Sequence, residues 1–248
     1  MIDLHCHLLP FIDDGASTVE EAIALATAAV ADGIRHAVLT PHVFPGQWDN
    51  TASSLREPFA AFKAMLASSA LPLDVTLGGE VRLLPESLML AAQDELPTLG
   101  TWGNDRVLLL EMPDALVPVG TEKAVEFLRK RGYLPMIAHP ERNKDVMRDP
   151  RKLKPLTDLG CLVQLTAASV AGLFGAPALK SALQLLDVGV VTVIASDSHN
   201  LAHRPPRMTE ARAAITARYG EAAAMLLTET NPGRIVERVS LLPVPMAA

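Results

Sequence analysis

Short apolar runs alternate with helical patterns along most of this 248-residue chain, and the alternation limits the folds open to it. Seven runs are typical of strands because they are short and rich in leucine, isoleucine or valine. They lie at 2–7, 36–40, 74–81, 106–113, 134–139, 161–166 and 190–196. Helical patterns lie near 17–33, 53–68, 121–131, 176–188 and 207–218. Strand and helix repeated in this order predict an α/β fold with a parallel sheet.

The segment between the first two strands illustrates the pattern. Ser17 and Glu20 form a capping-box pattern, and Gly33 can end the helix. Apolar residues repeat at helical spacing at Val19, Ile23, Ala26 and Val30. This stretch therefore predicts the helix of a βαβ unit.

Length and composition fit one soluble domain, 1–248, with a loose proline-rich tail at about 240–248. A hydrophobic content of 49% is enough for a large core, as in α/β barrels of this size. The net charge of -6 offers no broad basic surface, so we expect no nucleic-acid partner. The apolar stretches are too short to insert into a membrane, and two cysteines make no disulfide framework, which favours the cytoplasm.

The first strand carries two histidines one residue apart. Side chains alternate between the faces of a strand, so we expect His5 and His7 on one face and Ile2, Leu4 and Cys6 on the other. Two imidazoles on one face are typical of a metal site. By itself the pair is equally compatible with strand histidines that make ordinary hydrogen bonds.

Side chains that can bind metal also lie at the ends of other strands. The full set from the residues alone is His5, His7, His42, Glu80, Glu111, His139, Asp197 and His199. In a parallel barrel the carboxyl ends of the strands converge on one face, where barrel enzymes have their active sites. Imidazole with carboxylate and no thiolate suits Mn²⁺, with Fe or Zn²⁺ as alternatives. The set exceeds the needs of one ion, so we expect two or three ions that bridge a hydroxide and hold phosphate oxygens.

Two arginines follow the histidines of this set. Arg142 comes shortly after His139 and Arg204 shortly after His199, and a guanidinium matches the geometry of a phosphoryl group. We expect both to bind phosphate. His36 and His203 are expected to be structural or exposed at the rim.

Cysteine-based phosphate chemistry is excluded by the residues. That chemistry needs a thiolate with an arginine six positions later, and the chain has Ile12 after Cys6 and Ala167 after Cys161.

Seven sequence blocks, in order, carry a family resemblance. They are DLHCHLLPFIDDGA, TPHVFP, GGEVRL, LLLEMP, IAHPERN, QLTAASVAGLFG and SDSHNLAHRPPRM. The chain resembles the polymerase and histidinol phosphatase (PHP) superfamily, specifically its bacterial manganese-dependent protein-tyrosine phosphatases of capsule and exopolysaccharide operons. The resemblance implies a distorted seven-stranded (β/α) TIM-like barrel with a trinuclear centre.

The resemblance also implies a role for each ligand. It assigns one ion to His5, His7, Glu80 and Asp197, a second to Glu80, Glu111 and His139, and a third to Asp14, His42 and His199. The choice of Asp14 over Asp13 rests on the resemblance alone. Arg142 and Arg204 match the family's phosphate-binding arginines. Phe11 departs from the family pattern, in which a small residue is frequent at this position.

The substrate implied by the resemblance is the phosphotyrosine-rich tail of a bacterial tyrosine kinase that regulates polysaccharide export. Two alternatives stay open at this point: a histidinol-phosphate phosphatase using the same ions, and a metal-binding regulatory subunit that docks a kinase without turnover. The oligomeric state is not indicated by the sequence.

Overall fold

A computed structural model of the chain describes residues 1–236. Its strands are β1 (Ile2–Cys6), β2 (His36–Leu39), β3 (His42–Val43), β4 (Asp74–Leu77), β5 (Glu80–Arg82), β6 (Gly100–Trp102), β7 (Asp105–Glu111), β8 (Tyr133–Ala138), β9 (Leu162–Thr166) and β10 (Val193–Ala195). Its α-helices are α1 (Val19–Ala31), α2 (Arg56–Ser68), α3 (Pro85–Ala92), α4 (Thr121–Arg129), α5 (Lys144–Arg148), α6 (Lys154–Asp158), α7 (Ala167–Val170), α8 (Ala176–Asp187), α9 (Thr209–Tyr219), α10 (Glu221–Met225) and α11 (Asn231–Ile235). Two 3₁₀ turns lie at Pro140–Arg142 and Pro150–Leu153, and a π-helical turn lies at Leu226–Thr230. The predicted tail at about 240–248 lies outside the described residues.

The strands form two mostly parallel ladders. One has the order β1-β2-β4, and the other has the order β10-β9-β8-β7-β5-β3, with β6 antiparallel to β7. The predicted α/β fold with a parallel sheet is therefore confirmed. Neither the antiparallel strand β6 nor the short strand β3 was predicted, and the predicted strand 74–81 is two strands, β4 and β5. It breaks at Gly78 and Gly79, where a Cβ on Gly79 would lie 2.3 Å from Pro97 Cγ.

The two ladders meet beside β1. The Asp197 amide donates to the His5 carbonyl at 2.7 Å, and the His7 amide donates to the Ser198 carbonyl at 2.8 Å. These bonds join β1 to the segment after β10 through a single parallel bridge between Cys6 and Ser198. The contact is a bridge and not a ladder, so a closed seven-stranded barrel is not confirmed.

Alternate residues of the strands pack into two separate hydrophobic clusters. In β7, Val107 and Leu109 belong to a smaller cluster, whereas Leu108 and Leu110 belong to a larger one. The larger cluster includes helix residues such as Phe62 of α2, so it fills the space between sheet and helices. Both faces of the strands are therefore buried, as parallel sheets require.

A β-bulge in β1 changes the predicted pattern of faces. The pairing of β1 with β2 shifts register between Asp3 and Cys6. As a result Leu4 lies in the smaller cluster and Cys6 in the larger one. The prediction that Leu4 shares a face with Cys6 is wrong, because one extra residue reverses the alternation. The prediction that His5 and His7 lie together is confirmed by their Nε2 atoms, which are 3.2 Å apart.

The five predicted helices lie close to their predicted ranges. Helices α1, α2, α4, α8 and α9 begin and end within three residues of the predicted bounds. The N-cap of α1 is Thr18 and not Ser17: the Thr18 hydroxyl accepts from the Glu21 amide at 3.1 Å, and Ser17 instead donates to the Glu21 carboxylate. Over residues 1–236 the helices are all too short or too polar to cross a membrane.

Gly100 in β6 gives a test of this packing. Its φ is +144°, and a Cβ there would lie 2.0 Å from the Ile235 carbonyl oxygen of α11. We expect Gly100→Ala to lower the free energy of unfolding by about 2–4 kcal/mol, since the backbone strain and the steric clash add. Urea unfolding followed by circular dichroism measures the loss.

Gly103→Ala is the matched control. Gly103 lies in the same hairpin with φ +61°, and a Cβ there would have no neighbouring atom of residues 1–236 within 4 Å. Its replacement should cost only about 1 kcal/mol, the strain of the left-handed region. Equal unfolding midpoints for the two variants would show that β6 does not pack against α11 in this way.

Candidate metal centre

The side chains predicted to bind metal meet in one cluster. His5 lies near the end of β1, Glu80 opens β5 after the break that follows β4, and Glu111 ends β7. The cluster is formed by His5, His7, Asp14, His42, Glu80, Glu111, His139, Asp197 and His199. All of these residues are buried except Asp14. The convergence predicted from the strand ends is thus found in the structure.

Four residues form the innermost group. His5 Nε2 lies 3.2 Å from Glu80 Oε2 and 3.3 Å from Asp197 Oδ1. His7 Nε2 lies 3.4 Å and 3.7 Å from the same two oxygens. This group has the four members that the resemblance assigned to one ion.

A second group surrounds Asp14. Its Oδ1 lies 3.3 Å from His42 Nε2 and 3.4 Å from His199 Nε2. A ligand atom of His7 lies within 4.8 Å of the other three, so His7 belongs to this group as well as to the first. The sequence-based set of Asp14, His42 and His199 is therefore assembled, with His7 added.

A third group contains Glu111 but differs from the predicted set. His42, Glu80 and Glu111 offer ligand atoms within 4.8 Å of one another. His139 Nε2 instead lies 2.7 Å from Glu80 Oε1, and Glu111 Oε1 is paired with Arg82 at 2.9 Å. His139 and Glu111 thus share Glu80 as a neighbour, as the resemblance implied, and His42 lies beside the same carboxylate.

The donor set fits metal ions. Donor atoms that share one ion at about 2.1 Å lie about 3.0–3.4 Å from each other in octahedral and tetrahedral sites. The nitrogen–oxygen separations in the first two groups, 3.2 to 3.7 Å, are close to that range, whereas the 2.7 Å contact between His139 and Glu80 is that of a direct hydrogen bond. Three buried atoms of the cluster form no hydrogen bond of normal geometry within residues 1–236: His42 Nδ1, Asp197 Oδ1 and His199 Nε2. Buried polar atoms without such bonds are costly, and cations bound in the separate groups would satisfy them.

Two residues outside the predicted set fix the imidazoles. Asp13 Oδ2 lies 2.7 Å from His7 Nδ1, and Gln164 Oε1 lies 3.1 Å from His5 Nδ1. Both are acceptors, so each histidine donates through Nδ1 and its Nε2 faces the centre, where it would bind a metal ion on losing its proton. Sequence reasoning missed both roles. The available signal for Gln164 was an amide inside the apolar run CLVQLT.

Both predicted arginines contact the same carboxylate. Arg142 Nη1 and Arg204 Nη2 lie 2.6 Å and 2.5 Å from Asp197 Oδ2. The other oxygen, Asp197 Oδ1, faces His5. Asp197 therefore connects the candidate metal ligands to the two guanidinium groups.

The electrostatics keep Glu80 and Asp197 ionised and His199 neutral, while burial and the nearby charge of Glu80 raise the pKa of Glu111. Burial opposes ionisation of Glu80, but His5 and the hydrogen bond with His139 hold its pKa well below the ordinary value. Burial opposes ionisation of Asp197 too, and His5 and Arg204 still hold its pKa far below that of a free aspartate. Burial, with the charge of His7, lowers the pKa of His199 to about 4, so His199 is neutral at pH 7.

The remaining histidines and cysteines lie outside the cluster. His36 is buried and bonds Thr76 at 3.0 Å, and His203 is exposed, as predicted for structural and rim positions. Cys6 and Cys161 are free and buried. Burial raises the pKa of the Cys161 thiol to about 12 and that of Cys6 well above its ordinary value. Neither thiol can supply a nucleophile at neutral pH.

Comparison with known proteins identifies the family. A model of the capsular polysaccharide synthesis family CpsB/CapC matches residues 1–237. The chain belongs to the CpsB/CapC family. The resemblance to the tyrosine phosphatases of capsule operons, predicted from the seven sequence blocks, is thereby confirmed.

Relatives in the family are named as tyrosine phosphatases. The tyrosine-protein phosphatase YwqE of Bacillus subtilis is 35% identical over 229 residues, which are 92% of this chain and 89% of that protein. The tyrosine-protein phosphatase CpsB of Streptococcus pneumoniae is 30% identical over 241 residues, which are 95% of this chain and 98% of that protein.

Solved structures agree with this assignment. One structure comes from work on YwqE of Bacillus subtilis and CpsB of Streptococcus pneumoniae, described as unique metal-dependent tyrosine phosphatases. It superposes with a TM-score of 0.87 at 33% identity, and the match covers 96% of this chain and 94% of that chain. A phosphotriesterase homology protein of Escherichia coli has a TM-score of 0.58 at 11% identity, covering 93% of this chain and 96% of its own. The second likeness concerns the fold alone.

Asp13 gives a test of how the imidazoles are fixed. In Asp13→Asn one of the two acceptor oxygens becomes an NH₂ that must face either His7 Nδ1 and the His42 amide or the Gly15 amide, all of which donate to Asp13, and the negative charge beside His7 is lost. We expect the affinity for Mn²⁺ to fall about 10- to 100-fold, the usual effect of losing a group that orients a metal-binding histidine. Isothermal titration of the metal-free protein measures it.

Asp158→Asn is the control, because Asp158 is exposed and pairs only with Lys154 among the ion pairs of residues 1–236. Its Mn²⁺ affinity should equal that of the wild type. An Asp13→Asn variant with wild-type affinity would show that the Asp13 contact does not orient His7 for metal.

Proposed function

We propose that the chain is a metal-dependent protein-tyrosine phosphatase that removes phosphate from the phosphotyrosine tail of a bacterial tyrosine kinase in capsular or exopolysaccharide synthesis. One observation carries the proposal: Asp197 contacts His5 through one oxygen and both Arg142 and Arg204 through the other. Ligands for cations and donors for a phosphoryl group thus lie side by side. The names of the family members agree with this chemistry.

The proposed metals are two or three divalent ions: imidazole with carboxylate suits Mn²⁺, Fe and Zn²⁺, and Mn²⁺ is preferred because the sequence blocks resemble manganese-dependent phosphatases. The residues that would hold them are His5, His7, Asp14, His42, Glu80, Glu111, His139, Asp197 and His199. Bound there, divalent ions would supply an acidified water as nucleophile and positive charge against the phosphoryl oxygens.

The protein's own groups would bind and orient the substrate. Arg142 and Arg204 are part-buried guanidinium groups whose donors already converge on one carboxylate oxygen, so they can hold two phosphoryl oxygens as charge develops. His42 and His199 hold the pKa of Asp14 far below that of a free aspartate, against the effect of burial, so Asp14 stays ionised and donates no proton. A tyrosine leaving group has a pKa of about 10 and needs only modest help from an acid.

The proposal extends to the fold and the cellular setting. We propose that the two ladders act as one distorted seven-stranded (β/α) barrel of the PHP type within a single domain. The bridge between Cys6 and Ser198 and the bonds around it support this, because they join the first and last parallel strands. Two free, buried cysteines suit a reducing compartment, and we propose the cytoplasm.

Two substrate comparisons test the function. Hydrolysis of p-nitrophenyl phosphate with and without Mn²⁺ separates a catalyst from a metal-binding regulatory subunit. Turnover of a phosphotyrosine peptide against histidinol phosphate then separates the two phosphatases. We expect Mn²⁺-dependent turnover with a clear preference for the peptide, and a preference for histidinol phosphate would overturn the proposed substrate.

Glu80 and His5 test the metal assignment. Glu80 lies within 3.4 Å of His5, His7 and His42. We expect Glu80→Ala and His5→Ala to lose at least about 100-fold in kcat and to bind less Mn²⁺ while remaining folded, because both remove donors from the innermost group. Steady-state kinetics and metal analysis on the same samples measure both effects.

Cys6→Ser is the control in the same strand. Cys6 lies between His5 and His7 in the sequence, and its side chain is buried. Its thiol donates to the Val38 carbonyl at 3.4 Å, a bond that serine can also make. Turnover should stay near the wild-type value. An inactive Cys6→Ser protein with full metal content would overturn the mechanism, and so would activity within threefold of wild type in His5→Ala at saturating Mn²⁺.

The arginines separate phosphate binding from metal binding. We expect Arg142→Ala and Arg204→Ala to keep full metal occupancy and to lose about 10- to 1000-fold in kcat/KM, the range for removal of one positioned charged donor. Lysine should rescue only in part because it lacks the fork of two donors.

Arg151→Ala is the control, since Arg151 is exposed and pairs with Asp149 beside the turn at Pro150–Leu153. It should behave as wild type with both aryl phosphates and phosphopeptides. Wild-type rates in either Arg142→Ala or Arg204→Ala would remove that arginine from the proposed phosphate site.

A further inference from the structure

Phe11 has an unfavourable conformation and an unfavourable environment. Its φ is +67°, in the left-handed region that side chains other than glycine rarely adopt. Its side chain is 69% exposed, so burial does not compensate for the strain. A large apolar side chain in a strained and exposed position is more typical of binding than of stability.

Phe11 lies on the loop that carries Asp14. The loop is closed by the Phe11 amide, which donates to the Ala16 carbonyl at 3.0 Å. Asn50 joins this loop to the next one, because its side-chain amide donates to the carbonyls of His42 at 2.8 Å and Ile12 at 3.4 Å. The loop after β1 and the loop after β3 are thus held side by side.

Trp48 is presented by the second of these loops. Its ring lies parallel to the His42 imidazole, with centroids 4.8 Å apart and an angle of 11° between the planes. Phe44 supports it edge-on at 6.2 Å, and the two residues are paired through their backbones. Trp48 therefore extends the aromatic surface of a candidate metal ligand outward from the cluster.

The edge between these loops is the open side of the cluster. The Asp14 side chain is 48% exposed, whereas those of His42 and Glu80 are 11% and 1% exposed. Asp14 and His42 face each other at 3.3 Å across this edge. Phe11 and Trp48 lie on the two loops that carry Asp14 and His42, so a phosphoryl group that entered across this edge would place the rest of its molecule beside those loops.

We infer that Phe11 and Trp48 form an aromatic clamp for the phenyl ring of the phosphotyrosine substrate. The inference rests on the proposed function and adds the residues that select an aryl over an alkyl phosphate. A phenyl ring can pack edge-to-face or offset against both side chains, while the side chain of phosphoserine offers no ring for either contact. Selectivity would thus come from the rim, and the phosphate would be bound by the centre.

Phe11→Gly is the decisive variant because stability and binding should change in opposite senses. Glycine relieves the strain at φ +67°, so we expect an unchanged or higher melting temperature. At the same time kcat/KM for O-phosphotyrosine should fall about 3- to 10-fold through KM, the factor that one aromatic contact contributes. The Ki of inorganic phosphate, which has no ring, should not change.

Trp48→Leu should likewise raise the KM of O-phosphotyrosine and leave the Ki of phosphate unchanged, and Trp48→Phe should restore most of the KM because it keeps a ring. Val188→Ala is the control: Val188 is 66% exposed and follows α8, at the end of the strands opposite to the cluster. Bound Mn²⁺ is measured on every sample, because a substitution at Trp48 that moved the His42 ring would lower the amount of bound metal.

The outcomes are distinct. If the wild type hydrolyses O-phosphotyrosine and both Phe11→Gly and Trp48→Leu keep its KM, the clamp is wrong and the proposed function stands. If KM and the Ki of phosphate rise together with loss of Mn²⁺, the residues act on the metal centre and the clamp is again wrong. If the wild type itself does not hydrolyse O-phosphotyrosine, the proposed function fails and the clamp fails with it.

Discussion

A fully buried carboxylate, Glu80, is the constraint on which the arrangement of the strand ends depends. An ionised carboxylate without partners is very unfavourable in a protein interior, so the fold must bring cationic or hydrogen-bonding groups to it. Three imidazoles lie within 3.4 Å of its Oε2, and His139 lies 2.7 Å from its Oε1. These four histidines come from β1, β3 and the end of β8, so a single side chain fixes the relative positions of three strands. The contacts that form the site therefore also hold these strands in place.

The backbone around the cluster is strained where it aims ligands. His139 and Asp197 both have positive φ, 31° and 53°, and β1 contains a bulge between Asp3 and Cys6. Each left-handed residue costs about 1–2 kcal/mol, which the packing of both hydrophobic clusters must offset. The bulge has a direct use, because it lets Leu4 pack into the smaller cluster while His5 and His7 both face the centre.

Sequence reasoning predicted the regular part of the fold and the residues that meet, because both depend on local patterns. Periodicity located α1 and α8 closely, and polar residues after apolar runs predicted the convergence of His5, Glu80 and Asp197. What it missed depends on contacts distant in the chain. The Leu4 bulge appears only once β1 is paired with β2, and the role of Gln164 depends on which nitrogen of His5 faces the centre. Strand β6 was missed because its three residues show no alternation.

Charge explains why the proposed phosphate site needs cations as well as arginines. The candidate ligands include four carboxylates, those of Asp14, Glu80, Glu111 and Asp197, while Arg142 and Arg204 provide two positive charges near them. With Arg82, which pairs with Glu111, and Asp13, which pairs with His7, there are five carboxylates and three guanidinium groups; with neutral imidazoles their net charge is about minus two, which repels a phosphate dianion at these short distances. Two divalent ions would bring the net charge to about plus two, and three to about plus four. The arginines can therefore orient a phosphoryl group but cannot attract it by themselves. Both arginines contact Asp197 Oδ2 and balance its charge. When a phosphoryl group binds, the arginines must leave Oδ2 for the phosphate oxygens, while Asp197 Oδ1 would stay with the cations beside His5.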